Sequence, residues 1–361
     1  MIGMGPTSEA IAHFVHGGVT VFFLAWAYMI WPLRKQNKMM NMLFVNMLCL
    51  GFCNVKDMIF LADGYWESFF WSGVSVTMDL LYIPIVSNFF LEIVSPGWSN
   101  PRRILVPVAL QARFVPLFII WPTRIVYNIA MLSAYSGGFI AFILVCVLLV
   151  KHRKYIRDNY SYTEHIDVTW AVSCVILLFI CTTLYVIIFF EDTWLSGAFF
   201  QLICVGSWMY MYGLAIRHSV VETPPVQVFD FPWVRAEEVV EEHTANDTIA
   251  AIASNLDSCM ADDKLYLNQK LTLQDVAVAI GTNRTYLSEY LNNVLQKTFY
   301  EYFNELRIKE ACDLIDVQDE ENRKSMLEIA ELSGFNSIST FNRSFAKIVG
   351  MTPSQYAAKD N

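Results

Sequence analysis

The sequence predicts an all-α protein in which a seven-helix transmembrane bundle is followed by a soluble double helix-turn-helix domain. Hydrophobic residues make up 55% of the 361 residues, and the mean hydropathy is +0.39. These values are too high for an ordinary soluble protein. Seven stretches reach or approach the roughly 20 apolar residues that cross a bilayer. Two similar helix-turn-helix patterns then follow one another near the C-terminal end.

The membrane part is predicted to extend from residue 10 to residue 218, after an external N-terminus of residues 1–9. Its predicted spans are residues 10–31, 40–61, 69–94, 104–121, 125–150, 168–190 and 197–216. The fourth span contains Arg113 and prolines at 107 and 116, so it is expected to be bent. The N-terminus lacks the basic region and cleavage site of a signal peptide, and the first apolar stretch is therefore expected to remain as a span.

Cationic residues near the ends of spans mark the cytoplasmic side of a membrane. They follow the first, third, fifth and seventh spans, as Arg34, Lys35, Lys38, Arg102, Arg103, Lys151, Arg153, Lys154, Arg157 and Arg217. The connections after the second and sixth spans carry only acidic charges. We therefore predict a multi-pass membrane protein with its N-terminus outside and its C-terminal domain in the cytoplasm. Omitting the fourth span would place two successive basic connections on opposite faces.

A helix-turn-helix pattern occupies residues 325–345. Ser325 and Glu328 have the spacing of a capping box, which starts a helix. Gly334 can adopt the positive φ of a sharp turn, and Asn336 or Ser337 can cap the helix that follows. The expected inner faces contain Leu327, Ile329, Ala330 and Leu332 in the first helix and Phe341, Phe345 and Ile348 in the second.

The same arrangement occurs earlier in the chain, beginning at Thr272. A helix from Leu273 to Ile280, a turn at Gly281 and a second helix capped by Asn283 are predicted. A long helical pattern from Phe299 to Ile315 joins the two units. The tail, with its Ser333-Gly334-Phe335 turn and the sequence 350–356, resembles the AraC/XylS family of bacterial transcription regulators. The resemblance implies that the predicted membrane is the bacterial cytoplasmic (inner) membrane.

This resemblance implies that residues 263–361 bind double-stranded DNA by inserting two helices into successive major grooves. The implied base-contacting residues are Thr285, Ser288 and Glu289 in the first unit, and Ile338, Ser339, Asn342 and Arg343 in the second. Arg284, Asn292 and Lys347 would flank them and contact phosphate. Glu289 departs from the basic or polar residue more usual in the family. The alternative is that these residues solvate a module that docks a protein.

Charge divides the chain unevenly, with a net of +2 over residues 1–218, −9 over 219–263 and −2 over 264–361. Residues 219–262 are predicted to form a linker and a dimerisation helix. The apolar residues Ile249, Ile252, Leu256 and Cys259 recur at helical spacing there, so either dimer contact or packing on the adjoining domain is expected. The acidic run at 237–242 is either a solvated face or a device that holds the tail away from DNA.

Ionisable residues within a membrane span are costly and are candidate sites. We single out Asn46, Asp57, Asp79 and Arg113 as a candidate ligand-binding pocket between the second, third and fourth spans, in which Asp79 and Arg113 could pair. The structural alternative is an ion pair and hydrogen bonds between helices. No cofactor or metal site is predicted, because the eight cysteines form no Cys-x-x-Cys motif.

No catalytic motif is present, so the sequence favours a membrane-tethered one-component transcription regulator over an enzyme. The expected partners are double-stranded DNA and the lipid bilayer, with a second copy of the chain, RNA polymerase and an unknown small-molecule signal as further candidates. The alternative function is a membrane transporter or receptor with a protein-binding regulatory tail.

Overall fold

In the computed structural model, the regular elements of the described residues are helices. The described residues are 6–61, 68–164, 166–177, 180–181, 194–218, 242–317 and 324–358. The predicted connection at 219–241, with most of the acidic run, and part of the sixth predicted span lie outside them. The chain divides into two compact units, residues 1–152 with 168–228 and residues 153–167 with 229–361.

The first unit is built of long apolar helices. Their bounds are α1 Pro6–Ile30, α2 Lys38–Leu61, α3 Phe69–Asp79, α4 Tyr82–Val94, α5 Pro101–Ala112, α6 Phe114–Ile120, α7 Arg124–Asn159 and α8 Trp194–Arg217. The last residues of α7, 153–159, belong to the second unit. Helix α1 packs against α2 and α8, and α2 also packs against α4. Phe23, Leu43, Met47, Phe89 and Met211 are among the fully buried residues at the centre of this core.

Six helical stretches among the described residues are long and apolar enough to cross a membrane. They are Glu9–Ile30, Lys38–Met58, Phe69–Val94, Pro101–Ile120, Arg124–Asn159 and Leu195–Arg217. Large apolar side chains such as Phe14, Tyr28 and Leu132 are exposed on these helices, as expected for surfaces that face lipid. The six stretches coincide with the first five and the seventh of the predicted spans, whereas the count of seven remains a prediction.

Proline interrupts two of these stretches. The fourth is broken at Arg113, between α5 and α6, in the segment where a bend is predicted. Pro116 lacks the N–H that would bond the carbonyl of Ala112. The third stretch is broken at Leu80 and Leu81, between α3 and α4, although no bend was predicted there. Pro84 explains it, because it cannot donate to the Leu80 carbonyl and is tolerated in the first turn of a new helix.

The second unit contains shorter helices, whose ends are set by side-chain caps. They are α9 Glu242–Asp262, α10 Leu273–Ala279, α11 Arg284–Glu289, α12 Phe299–Asp316, α13 Met326–Leu332, α14 Ile338–Val349 and α15 Pro353–Ala357. Helix α11 continues as a π-helical turn over Tyr290–Val294. Capping boxes begin α10, α12, α13 and α15. The box predicted from Ser325 and Glu328 is among them and is confirmed.

Helix α12 takes part in two separate hydrophobic cores. Phe299 and Phe303, near its start, pack with α10 and α11. Ile308, Ala311 and Ile315, further along, pack with α13 and α14. The two helix-turn-helix units are thus attached to opposite ends of one helix of 18 residues.

The apolar seam of α9 is used within this unit. Ile252, Leu256 and Cys259 are buried in the same core as Val276 and Phe299, while Ile249 remains 36% exposed. Of the two interpretations left open by the sequence, packing on the adjoining domain is therefore the one observed for these three residues. Cys259 behaves as a small hydrophobic residue, and burial raises the pKa of its thiol.

Three residues assigned to inner faces are exposed instead. Leu327 and Leu332 are about half-exposed on α13, because that short helix turns only Met326, Ile329 and Ala330 toward the core. Ile348 is also exposed in the last turn of α14. The core there is completed by Val349 and by Tyr356, whose ring lies 5.5 Å from that of Phe345.

Candidate nucleic-acid interface

The turn of the first unit is formed as its sequence predicts. Gly281 has φ +72°, and the amide of Thr282 donates to the carbonyl of Ala277 at 2.8 Å. The side chain of Asn283 accepts from the amide of Tyr286 and so caps α11. Leu287 is fully buried and fixes the inner face of this helix. The opposite face is consequently turned outward as a polar surface.

The candidate DNA-contacting residues of the first unit lie on this outer face. Arg284, Thr285, Glu289 and Asn292 are exposed and Ser288 is half-buried. The amide of Asn292 donates to the hydroxyl of Ser288 at 3.2 Å. Because they are three or four residues apart, Thr285, Ser288 and Glu289 share one side of α11. This side can enter a groove, although Glu289 places a negative charge within it.

The turn of the second unit is more tightly constrained. Gly334 has φ +88°, and a Cβ added to it would lie 2.8 Å from the Leu267 Cα and from the Tyr266 carbonyl oxygen. Both the backbone conformation and the space therefore require glycine. Of the two predicted caps, Ser337 is the one that accepts from the amide of Thr340 and starts α14.

Helix α14 separates its apolar and polar faces clearly. Phe341 and Phe345 are fully buried, whereas Ser339, Asn342, Arg343 and Lys347 are exposed. Ile338 is half-buried and packs against the core, so less of it is available to contact a thymine methyl group. The Arg343 guanidinium makes a 3.4 Å contact with the Thr340 hydroxyl. Its other donors project from the surface.

Lys347 has a partner on α12. Its ammonium lies 3.3 Å from a carboxylate oxygen of Glu301. Partial burial tends to raise the pKa of Glu301, but hydrogen bonds from Thr298 and from Lys347 outweigh it and lower that pKa. Glu301 is therefore ionised at neutral pH, and a DNA phosphate would have to compete with it for Lys347.

Arg307 is a buried charged residue that holds backbone segments together, and the sequence analysis did not predict it. Its side chain is 1% exposed, and it donates to the carbonyls of Tyr266, Asn268 and Ser161 at 2.6, 2.7 and 3.0 Å. Burial lowers the pKa of Arg307 to about 10, so it remains charged at neutral pH. The available signal was its spacing, four residues after Phe303 and four before Ala311, which places a charge on the inner face of α12.

Comparison with known proteins finds matches to the C-terminal part of the chain. Residues 276–359 match the family described as a helix-turn-helix domain. The C-terminal end of the chain carries an AraC-type helix-turn-helix domain. The resemblance deduced from the turn sequences is thereby confirmed for this domain, within which α12 joins the two units.

Several curated regulators are similar to part of the chain. The melibiose operon regulatory protein of Escherichia coli strain K12 is 38% identical over 89 residues, which are 25% of this chain and 28% of that protein. The MmsAB operon regulatory protein of Pseudomonas aeruginosa is 26% identical over 102 residues, 28% of this chain and 32% of that protein. The uncharacterized HTH-type transcriptional regulator YdeC of Bacillus subtilis is 33% identical over 92 residues, 26% and 30% respectively.

Each of these matches covers 25–28% of this chain. The chain spans about a third or less of the length of these relatives, and no solved structure matches it. The apolar helices of the first unit must therefore be interpreted from their own contacts.

The candidate ligand residues of the first unit are only partly brought together. Lys56, which was not assigned to the pocket, lies 2.8 Å from Asp57 and 2.7 Å from Asp79. The Ser75 hydroxyl donates to Asp57 at 3.0 Å. We call Lys56, Asp57, Ser75 and Asp79 the polar cluster. It joins α2 to α3.

Asn46 and Arg113 lie outside the polar cluster. Asn46 is fully buried and donates to the carbonyl of Met42 in its own helix. Arg113 is exposed, and its guanidinium lies 5.0 Å from the ring centroid of Phe114. The pairing of Asp79 with Arg113 that the sequence suggested is not formed, because Lys56 is the cation beside Asp79.

We expect Lys56→Met to destabilise the first unit more than Asp79→Asn does. The first change leaves two carboxylates inside a predicted span without their shared cation, and an unpaired charge within a span is costly. The second keeps an acceptor for Lys56 and leaves it paired with Asp57. Thermal unfolding of the purified full-length proteins in detergent, followed by tryptophan fluorescence, measures both. Equal melting temperatures for the two variants would contradict this assignment of charges.

Proposed function

We propose that this protein is a membrane-anchored one-component transcription regulator that binds specific DNA through two helix-turn-helix units under control of its helical membrane part. The observation that carries the proposal is the pairing of one AraC-type domain with six apolar helical stretches in a single chain. The printed names of the similar proteins, two of which regulate operons, support a role in transcription rather than in catalysis.

The chemistry of the two outer faces suits direct contact with bases. The Arg343 guanidinium can bond O6 and N7 of guanine, and the Asn342 amide can bond adenine, each through two hydrogen bonds. Glu289 can accept from cytosine N4. A domain net charge of −2 implies few neutralised phosphates. We therefore expect affinity to rest more on base contacts than is usual, and to depend weakly on salt.

The membrane part is the proposed sensor. The distribution of cationic residues supports a cytoplasmic location for the C-terminal domain, where it can reach the chromosome. A signal would act by binding one arrangement of the chain better than another, and the polar cluster is the proposed place for a small polar ligand. A homodimer and contact with RNA polymerase are further proposals, and a dimer would use a surface other than the α9 seam.

Genome-wide crosslinking of the intact protein to DNA tests the proposal. We expect discrete sites that share a motif with two halves about 10 base pairs apart, and altered expression of adjoining genes when the protein is deleted. The control is a chain that ends before α9 and keeps the membrane helices. Crosslinks no more frequent than in this control would exclude DNA binding in the cell and favour a protein-binding tail. Topology mapping that placed the C-terminal domain outside the cytoplasm would exclude it independently.

A further inference from the structure

The connection after the fifth predicted span belongs to the compact unit of the C-terminal domain. Residues 153–167 cluster with residues 229–361, although they are far apart in sequence. Tyr160 forms an antiparallel bridge with Thr272, the capping residue of α10. We call residues 159–164 of this connection the clamp segment.

Ser161 anchors the clamp segment. Its amide and its hydroxyl both donate to the carbonyl of Leu271, at 3.1 and 2.9 Å. Its own carbonyl and hydroxyl oxygens accept from the Arg307 guanidinium at 3.0 and 2.9 Å. Ser161 and Arg307 are each 1% exposed. Charged donors in a buried site make the stronger class of hydrogen bond, so this attachment is specific.

The two ends of the clamp segment contact the two helix-turn-helix units. On one side, the side-chain carbonyl of Asn159 accepts from Arg284 at 2.5 Å, at the start of α11. On the other, a carboxylate oxygen of Glu164 accepts from the hydroxyl of Ser337 at 3.1 Å, the cap of α14. A single stretch of six residues therefore contacts the N-terminal ends of both helices proposed to enter DNA.

These contacts compete with DNA. Arg284 is a candidate phosphate-contacting group, and here one of its donors is taken by an amide oxygen. Glu164 places a negative charge at the N-terminal end of α14, where the helix dipole favours an anion. A duplex would bring phosphates to the same region, and the Glu164 carboxylate would repel them. Docking of the clamp segment would therefore oppose the binding of DNA at these two helix ends.

We propose that the clamp segment, residues 159–164, docks on the DNA-binding domain of the same chain and must leave this domain before DNA is bound. The effect on DNA binding rests on the proposed function, whereas the docking of the clamp segment does not. The connection leads directly into the sixth predicted span, so a change among the membrane helices could pull the clamp segment away. The signal would reach the domain through this connection as well as through residues 219–241.

A reversible crosslink tests the proposal in the full-length protein reconstituted in lipid nanodiscs. Facing residues of an antiparallel pair have Cα atoms about 4.5–5.5 Å apart, which suits a disulfide. Tyr160→Cys with Thr272→Cys should therefore form one on mild oxidation, identified by peptide mass spectrometry. The probe is a duplex carrying a site recovered by genome-wide crosslinking. We expect the oxidised protein to bind it at least about tenfold more weakly than the same sample after reduction.

A second pair of variants needs no cysteine. Glu164→Gln should bind the duplex up to about fivefold more tightly, the range that an exposed charge contributes. Asp313→Asn, on the exposed side of α12, changes net charge equally without touching the clamp segment and should have a smaller effect. Failure of the disulfide to form, or equal DNA binding by the oxidised and reduced forms, would overturn the proposal. If the disulfide forms but the reduced protein binds no DNA, the proposed function fails and the docking alone is retained.

Discussion

Replacing Gly334 with alanine is expected to destabilise the second helix-turn-helix unit by about 2–5 kcal/mol. An L residue held at positive φ costs roughly 1–2 kcal/mol, and forcing extra atoms into a packed site typically costs about 1–3 kcal/mol more. Both penalties apply, because the new Cβ would meet backbone atoms of Tyr266 and Leu267. Backbone atoms cannot move aside as the end of a flexible side chain can.

Gly281 provides the matched control for this prediction. It has a similar positive φ, yet a Cβ there would meet nothing within 4 Å. Gly281→Ala should therefore cost only the conformational penalty, about 1–2 kcal/mol. Hydrogen exchange of amides in α10 and α14 of the full-length proteins measures the two units separately. A loss at Gly281 as large as that at Gly334 would contradict the close approach of the backbone.

Arg343→Ala is expected to remove most of the discrimination between a specific site and a mixed-sequence duplex. A bidentate contact to guanine contributes about 1–3 kcal/mol, so discrimination should fall by roughly 5- to 150-fold. The fold should be little affected, since the only contact described for this guanidinium is the 3.4 Å one to Thr340. The measurement is the affinity of the full-length protein for both duplexes at several salt concentrations.

Lys347→Ala distinguishes phosphate contact from base contact in the same assay. It should weaken binding to both duplexes about equally and reduce the slope of log affinity against log salt by about one. The loss should be small, because Lys347 must first leave Glu301. If Arg343→Ala instead weakened both duplexes alike, Arg343 would be a phosphate contact and the assignment of α14 to base recognition would be wrong.

Local signals in the sequence predicted the tail well. Capping residues and turn glycines act on neighbours within four residues, so Ser325 with Glu328, Asn283 and Gly281 could be assigned without knowledge of the fold. The apolar repeat of α12 was equally clear. The exposure of Leu327 and Leu332 was not predicted. The sequence shows which residues of a helix are apolar, but not how much of the helix surface packs against the core.

Contacts between distant residues could not be predicted in the same way. Arg307 donates hydrogen bonds to backbone carbonyls 39 to 146 residues away. Because every residue has a backbone carbonyl, the sequence does not show which of them will accept. The partner of Asp79 was misassigned for a related reason. The position of Asp79 within an apolar stretch predicts how deep it lies in the membrane. The rotation of each helix about its axis decides whether Lys56 or Arg113 lies beside it, and the sequence does not give this rotation.

Helix α12 packs in two hydrophobic cores, and this limits how the DNA site proposed for this protein can vary. One helix of 18 residues sets the separation of the two helices proposed to contact DNA, because each packs onto a different end of it. Base pairs can be exchanged within either half-site at the cost of one contact. Inserting about five base pairs, half a turn of the duplex, between the two half-sites would move one half-site to the opposite side of the duplex. No substitution on α11 or α14 would then let both helices reach their half-sites.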